Sequence, residues 1–247
     1  MLQEITIDDR YAIADKGTSD GTQIKYFRNN TWYKQDRYGG EGEAEALAST
    51  ILTLSGYPKK KYVTYSQVLI NGKPGCSCRN FLRKDDQFVT LYRLYMNYCG
   101  RDLSAAIQKM DYDDGIEYVL RFVLKQTGID LHEYLADTFI LDELILNEDR
   151  HFNNLGLLFD GDAFRTAPIF DNGKSLLVGN KTGKAYAKAF SGSFSLNRAY
   201  LQDYASLKLN RQAINTYLDE HRSEISRRAL GVLNKNLQTF EQPLISY

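Results

Sequence analysis

The run Asn147-Glu148-Asp149-Arg150-His151-Phe152-Asn153-Asn154, followed seventeen residues later by Asp171-Asn172-Gly173, constrains this chain more than any other feature. An Asp-Arg-His with an Asn five positions beyond the Asp puts one carboxylate and one amide on opposite sides of a short loop. A second acid on a later loop then completes a divalent-cation site between them. Phosphoryl transfer needs such an arrangement, because its catalysis is mostly positioning plus charge neutralisation by metal. Asp149 is therefore the candidate to orient or deprotonate an acceptor hydroxyl, and Asn154 and Asp171 are the candidate ligands of Mg²⁺, with Mn²⁺ as a substitute.

Composition bounds the remainder modestly. At 247 residues the chain has room for one large core or two lobes. Lys plus Arg and Asp plus Glu both total 31, so there is no global attraction for nucleic acid or an anionic membrane, although there is room for a local basic patch. No stretch of about 18 apolar residues is present to span a bilayer. Met1 to Asp15 lacks the basic flank and apolar core of a signal peptide. Cys76, Cys78 and Cys99 form neither an even framework nor a zinc set, and read as reduced thiols. A cytoplasmic protein with no direct nucleic-acid or membrane partner is the expectation.

The chain divides near residue 83. Residues 1–83 read mainly as strands, with a hairpin over Gln23–Phe27 and Thr31–Gln35 that ends beside Lys34. A helix is predicted from Glu43 to Leu54, since Ala44, Leu47, Ala48, Ile51 and Leu52 keep helical spacing. Tyr62–Ile70 and the run through Cys76 to Leu82 flank the turn signal Asn71-Gly72. Residues 84–247 read as helices: Tyr112–Gln126, Leu131–Leu146, Leu196–Lys208 and Arg211–Leu233. Leu131–Leu146 is apolar on more than one face, as a buried helix would be, and delivers the chain into Asp149. Short strands at Leu155–Phe159 and Ala163–Phe170 carry Asp171 at their exit.

A hairpin with a lysine, a helix with a glutamate, a hinge near 80–83, a helical lobe, a catalytic loop and a metal acid follow the order of parts in a protein kinase. The predicted fold class is α+β, bilobal and protein-kinase-like, with a small antiparallel β-rich N-lobe and a mainly helical C-lobe. Lys34 is the candidate to steady nucleotide phosphates, and Glu45 its preferred partner. Glu41 and Glu43 compete, because acids near a helix N-terminus are also favoured by the dipole. Gly17-Thr18-Ser19-Asp20-Gly21 precedes the hairpin where a phosphate-covering loop would lie. It lacks the full G-x-G-x-x-G spacing, and a solvent turn has the same composition. Gly17, Ser19 and Gly21 are its candidate ATP contacts.

The run from Asp142 to Gly156 resembles the catalytic segment of HipA-like kinases, and Phe170 to Leu177 resembles their metal segment. Phosphoinositide kinases carry a similar loop. The resemblance spans about residues 17–177, with only these two segments specific. It implies ATP with Mg²⁺ and transfer to a Ser or Thr hydroxyl of a protein. It also implies autophosphorylation, for which Ser19 is the matching position. In the toxins of this family the target is typically an aminoacyl-tRNA synthetase and a small antitoxin restrains the kinase. The chain is short for that form, which weighs against an antitoxin complex of the usual shape. Short members also include secreted effectors acting on host proteins.

Within this reading His151 packs under the loop, Arg150 pairs with a nearby acid, and Asp142, two helical turns before Asp149, braces the loop. Three functions stay open: a Ser/Thr protein kinase, a kinase of lipid or small-molecule hydroxyls, and a non-catalytic kinase-like binding module. The first is favoured because Lys34, Asp149, Asn154 and Asp171 are all present.

Overall fold

The structure is a computed structural model that describes residues 2–13, 23–190 and 192–239. Its strands begin with β1 (Gln3–Ile5), β2 (Ala12–Ile13), β3 (Lys25–Arg28) and β4 (Thr31–Gln35). Helix α1 (Glu41–Leu54) follows, then β5 (Tyr65–Ile70), β6 (Lys73–Arg79) and β7 (Gln87–Thr90). Next come α2 (Leu91–Cys99), α3 (Leu103–Ile107), α4 (Tyr112–Thr127) and α5 (His132–Ile145). The pair β8 (Gly156–Phe159) and β9 (Phe164–Thr166) precedes α6 (Phe194–Leu201), α7 (Arg211–Glu220) and α8 (Arg227–Thr239).

Six strands form one sheet in the order β1-β5-β6-β4-β3-β2, and β7-β8-β9 form a second. Asn29-Asn30 and Asn71-Gly72 close the two hairpins of the large sheet with positive φ at all four residues. Asn and Gly tolerate that conformation best, and it matches the twist of the flanking strands. The sheet departs from the expected antiparallel form at one edge, where β1 runs parallel to β5. Strands β1, β2 and β7 span two to four residues each, too few for alternation to register in the sequence.

Helix α1 begins at Glu41, two residues before the predicted start. Two carboxylates fasten the helix start and the loop that leads into it. Asp36 accepts from Gly40 N at 2.6 Å and Gly42 N at 2.8 Å, and Glu41 accepts from Arg37 N and Tyr38 N. The helix then lies close on the sheet because Gly42 meets Gly75 of β6 backbone to backbone. A Cβ on Gly42 would overlap the Gly75 carbonyl, and one on Gly75 would overlap the Lys34 carbonyl. This close approach is what lets a helix glutamate reach a lysine near the end of β4.

Two predicted helices are shorter than expected. After α6 the chain turns off because buried Asp137 of α5 captures Ser206 N, Ser206 Oγ and Leu207 N at 2.7–2.8 Å. The predicted helix Arg211–Leu233 is two helices. Ser226 accepts from Ala229 N as a new N-cap, while its own N and Oγ donate to Glu43 of α1 at 2.6 Å. Helix α5 is buried on nearly every face, among them Leu135, Phe139, Leu141 and Leu144. One core runs from Leu47 and Ile51 of α1 through α5 to Leu233 of α8, so α1 packs with the helical part as well as with the sheet. No helix among the described residues is long and apolar enough to cross a membrane.

Candidate active site

Lys34 is the penultimate residue of β4, opposite Lys25 of β3 and Cys76 of β6. Its Nζ donates to Glu45 Oε1 at 2.9 Å and to Asp171 Oδ1 at 2.7 Å. The other oxygen of Glu45 accepts from Asn172 N at 2.8 Å, so Glu45 holds both the lysine and the loop that carries Asp171. The competing glutamates are occupied elsewhere: Glu41 accepts from the backbone of the preceding loop at Arg37 and Tyr38, and Glu43 pairs with Arg228 at 3.1 Å.

Charge and burial oppose each other in this triad. Burial disfavours the ammonium of Lys34, but Asp171 and Glu45 outweigh it and raise its pKa well above the ordinary lysine value. Burial pushes the Glu45 carboxyl up, against Lys34 and the Asn172 amide. Burial also acts to raise Asp171, yet the ion pair and hydrogen bond from Lys34 outweigh it and hold Asp171 well below the usual carboxylate range. Tyr65 underlies the triad, with Lys34 Nζ 5.3 Å from its ring centroid and its hydroxyl 3.4 Å from Asp171 N. Phe170 packs edge-on against Phe88 and beside Phe81, fixing the approach to Asp171. Asp171 itself has φ +59°, a left-handed conformation that a non-glycine residue keeps only when its surroundings hold it.

The loop after α5 is built around a buried ion pair. Asp142 accepts from Arg150 Nε and Nη2 at 3.0 Å and from Asn147 Nδ2 at 3.1 Å. Arg150 also donates to Phe170 O and Asn172 Oδ1, both at 2.6 Å, and so joins the Asp149 loop to the Asp171 loop. Burial raises the Asp142 carboxyl despite Arg150, while Asp142 outweighs burial to raise the Arg150 guanidinium. Asn147 Oδ1 accepts from Asp149 N at 3.0 Å, and Asn154 Nδ2 donates to Asp149 O at 2.9 Å. That bond leaves the carbonyl oxygen of the Asn154 amide as the atom available to a cation. His151 N donates to Asp149 O at 2.8 Å, and its ring Nε2 lies 3.9 Å from Asp149 Oδ2.

The structure thus brings Lys34, Glu45 and Asp171 into direct contact, and links Asp142, Arg150, His151, Asp149 and Asn154 through one hydrogen-bonded loop. Gly17, Ser19 and Gly21 lie outside the described residues. Sequence reasoning missed Lys188, whose Nζ lies 2.5 Å from Asp149 Oδ1. An isolated lysine with no spacing relation to the loop carries no signal. It also missed the part played by Asn172, which stands inside the Asp-Asn-Gly motif and bonds both Glu45 and Arg150.

No family model matches the chain, and no curated protein matches it. Solved structures do. A proinflammatory kinase of Helicobacter pylori, CtkA, superposes with a TM-score of 0.64 at 18% identity, over 96% of this chain and 94% of that one. HipA of Shewanella oneidensis, solved with HipB and operator DNA, superposes with a TM-score of 0.50 at 12% identity. That match covers 96% of this chain but only 61% of the Shewanella protein. The chain has a mixed α+β, protein-kinase-like fold. It shares that fold with these two proteins, the second the HipA of a toxin-antitoxin system.

Proposed function

We propose that this chain is an ATP- and Mg²⁺-dependent phosphotransferase that acts on a serine or threonine hydroxyl of a protein. The observation that carries the reading is Lys34 bridging Glu45 and Asp171, with Asp149 on a loop that Arg150 ties to the Asp171 segment. A lysine held between two carboxylates on different elements is positioned to bind phosphate oxygens, and Glu45 keeps it there. Asp149 would orient the acceptor hydroxyl and take its proton. Arg150 and Asn147 hold that loop in register with the phosphate-binding side.

The donor set supports a magnesium ion. Asp171 stays ionised at neutral pH, and the Asn154 amide offers a carbonyl oxygen. One carboxylate and one neutral oxygen, completed by water and nucleotide phosphates, suit an ion that keeps part of its hydration shell. Bound there, Mg²⁺ would neutralise charge that develops on the transferred group.

The test is incubation with labelled ATP and whole-cell lysate, with Mg²⁺ or with EDTA, followed by phosphosite mapping. Metal-dependent label on protein Ser or Thr is the expected result; no transfer to any protein overturns it. Mass spectrometry of the purified protein examines autophosphorylation at Ser19 in the same preparation. The likeness to the Shewanella protein supports a second point, an antitoxin-like partner. Co-purification of the tagged chain with proteins encoded beside it tests that directly.

A further inference from the structure

The segment after Asp171 is electrically one-sided. From Asn172 to Gln202 there is no Asp or Glu, while Lys174, Lys181, Lys184, Lys188 and Arg198 all fall within it. The chain as a whole balances 31 cations against 31 anions, so this is a local departure beside the candidate active site.

Three of the five cations are already engaged. Lys174 lies 4.3 Å from the Tyr38 ring centroid and donates to Val178 O, and Arg198 pairs with Glu143. Lys188 lies on Asp149. Lys181 and Lys184 are exposed, and neither meets a carboxylate among the described residues. The turn that carries them is held in place. Asn180 Nδ2 donates to both oxygens of Glu148 at 2.8 and 2.9 Å and to Lys184 O at 2.8 Å, and Asn180 Oδ1 accepts from Thr182 N and Gly183 N. This tight turn is fastened to the residue that precedes Asp149. Downstream, Asn197 Nδ2 donates to Ala189 O at 3.1 Å and fixes the strand of chain that carries Lys188.

We propose that the acceptor is a peptide segment with acidic side chains flanking its serine or threonine, bound by Lys181 and Lys184, and that its carboxylates draw Lys188 away from Asp149. The inference rests on the phosphotransferase reading. The ammonium of Lys188 sits on Asp149 Oδ1, and in this proposal it masks the carboxylate from an acceptor hydroxyl until another anion takes the lysine. An acidic peptide supplies that anion at the moment of binding, and the acceptor thereby uncovers the base. Two exposed ammonium groups in one turn suit a few carboxylates. An anionic membrane surface draws instead on a polybasic run of about 4–8 residues.

The test uses the full chain and fluorescein-labelled serine peptides flanked by Glu, by Ala or by Lys, with binding read as fluorescence anisotropy. The Glu-flanked peptide should bind about tenfold or more tightly than the Lys-flanked one, and added salt should narrow the gap. The double variant Lys181→Glu/Lys184→Glu, shown to be folded by its melting curve, should reverse the order. Equal binding of the three peptides, or an unchanged order in the variant, overturns the proposal. So does tighter lysine-dependent binding to phosphatidylserine vesicles than to the Glu-flanked peptide. Transfer from ATP to the same peptides gives a second reading: Lys188→Ala should raise kcat/KM for the Ala-flanked peptide toward that of the Glu-flanked one. Equal loss of transfer to all peptides in Lys188→Ala overturns the masking role. Selective binding without transfer to any peptide in the wild-type protein would refute the phosphotransferase reading and leave the charge preference standing.

Discussion

Arg150 donates to Asn172 Oδ1 at 2.6 Å, so the loop that carries Asp149 and the loop that carries Asp171 are fixed to each other through a buried guanidinium. The same guanidinium pairs with Asp142 at the end of α5 and with Phe170 O. Arg150 therefore sets the distance between the two acids without facing the cleft, and its removal should disturb both.

Arg150→Ala leaves the buried Asp142 carboxylate without its cation. Breaking one partner of a buried pair costs about 3–5 kcal/mol. Urea unfolding of this variant should show a loss in that range, and Arg150→Lys should recover only part of it, because an ammonium cannot reproduce the forked contacts. A midpoint equal to wild type would show that the pair does not hold the loops together.

Gly42→Ala tests the close approach of α1 to β6. An added methyl must push against the Gly75 backbone, and overpacking of this kind costs about 1–3 kcal/mol. It should also move Glu45 away from Lys34 and weaken nucleotide binding. Gly231→Ala in α8 is the control, since its Cβ meets nothing within 4 Å. A helix-interior Gly→Ala change there should stabilise by about 0.5–1 kcal/mol. Thermal melts of the two variants should therefore shift in opposite directions.

The two loop motifs were legible in the sequence because the roles proposed for them depend on fixed local spacing: Asp149 to Asn154, and Asp171 with its Asn-Gly. The order of the elements was legible from the periodicity of α1 and α5 and from the Asn-Gly turn. The identity of the glutamate that meets Lys34 was not. Glu41, Glu43 and Glu45 are equivalent in composition and position, and only the helix rotation fixed by Gly42 against Gly75 selects Glu45. The break between α7 and α8 was equally hidden, since it depends on Ser226 bonding Glu43 across 183 residues of sequence. Lys188 reaches Asp149 across 39 residues with no periodic cue.

Acid should weaken the contribution of Asp171. Its folded carboxyl is held below the ordinary value of 3.8, so the stabilisation is fully present above that value and is lost as pH falls through the folded one. Glu45 has the opposite sign: its pKa is raised, so its ionised form is disfavoured in the folded chain and acid relieves that term. Comparison with Asp171→Asn isolates the first effect. Wild type should exceed the variant in urea midpoint at about pH 6, and the gap should narrow toward about pH 3. A gap that widens on acidification would contradict the assigned direction.

The chemical roles separate most cleanly in a pair of substitutions. In the proposed reaction Asp149 receives the proton, and its carboxylate bonds Lys188, whereas Asp171 bonds Lys34 directly. Asp149→Ala should therefore keep metal-dependent ATP binding and lose transfer by on the order of 10²-fold or more. Asp171→Asn should lose both, because a neutral amide neither attracts Mg²⁺ as a carboxylate does nor holds Lys34 as strongly. Calorimetry with ATP, in Mg²⁺ and in EDTA, reads the binding step, and transfer of labelled phosphate reads the chemical step. Equal ATP affinity in Mg²⁺ and EDTA for wild type would remove Asn154 and Asp171 as metal ligands. Transfer by Asp149→Ala at the wild-type rate would show that the acceptor proton leaves by another route.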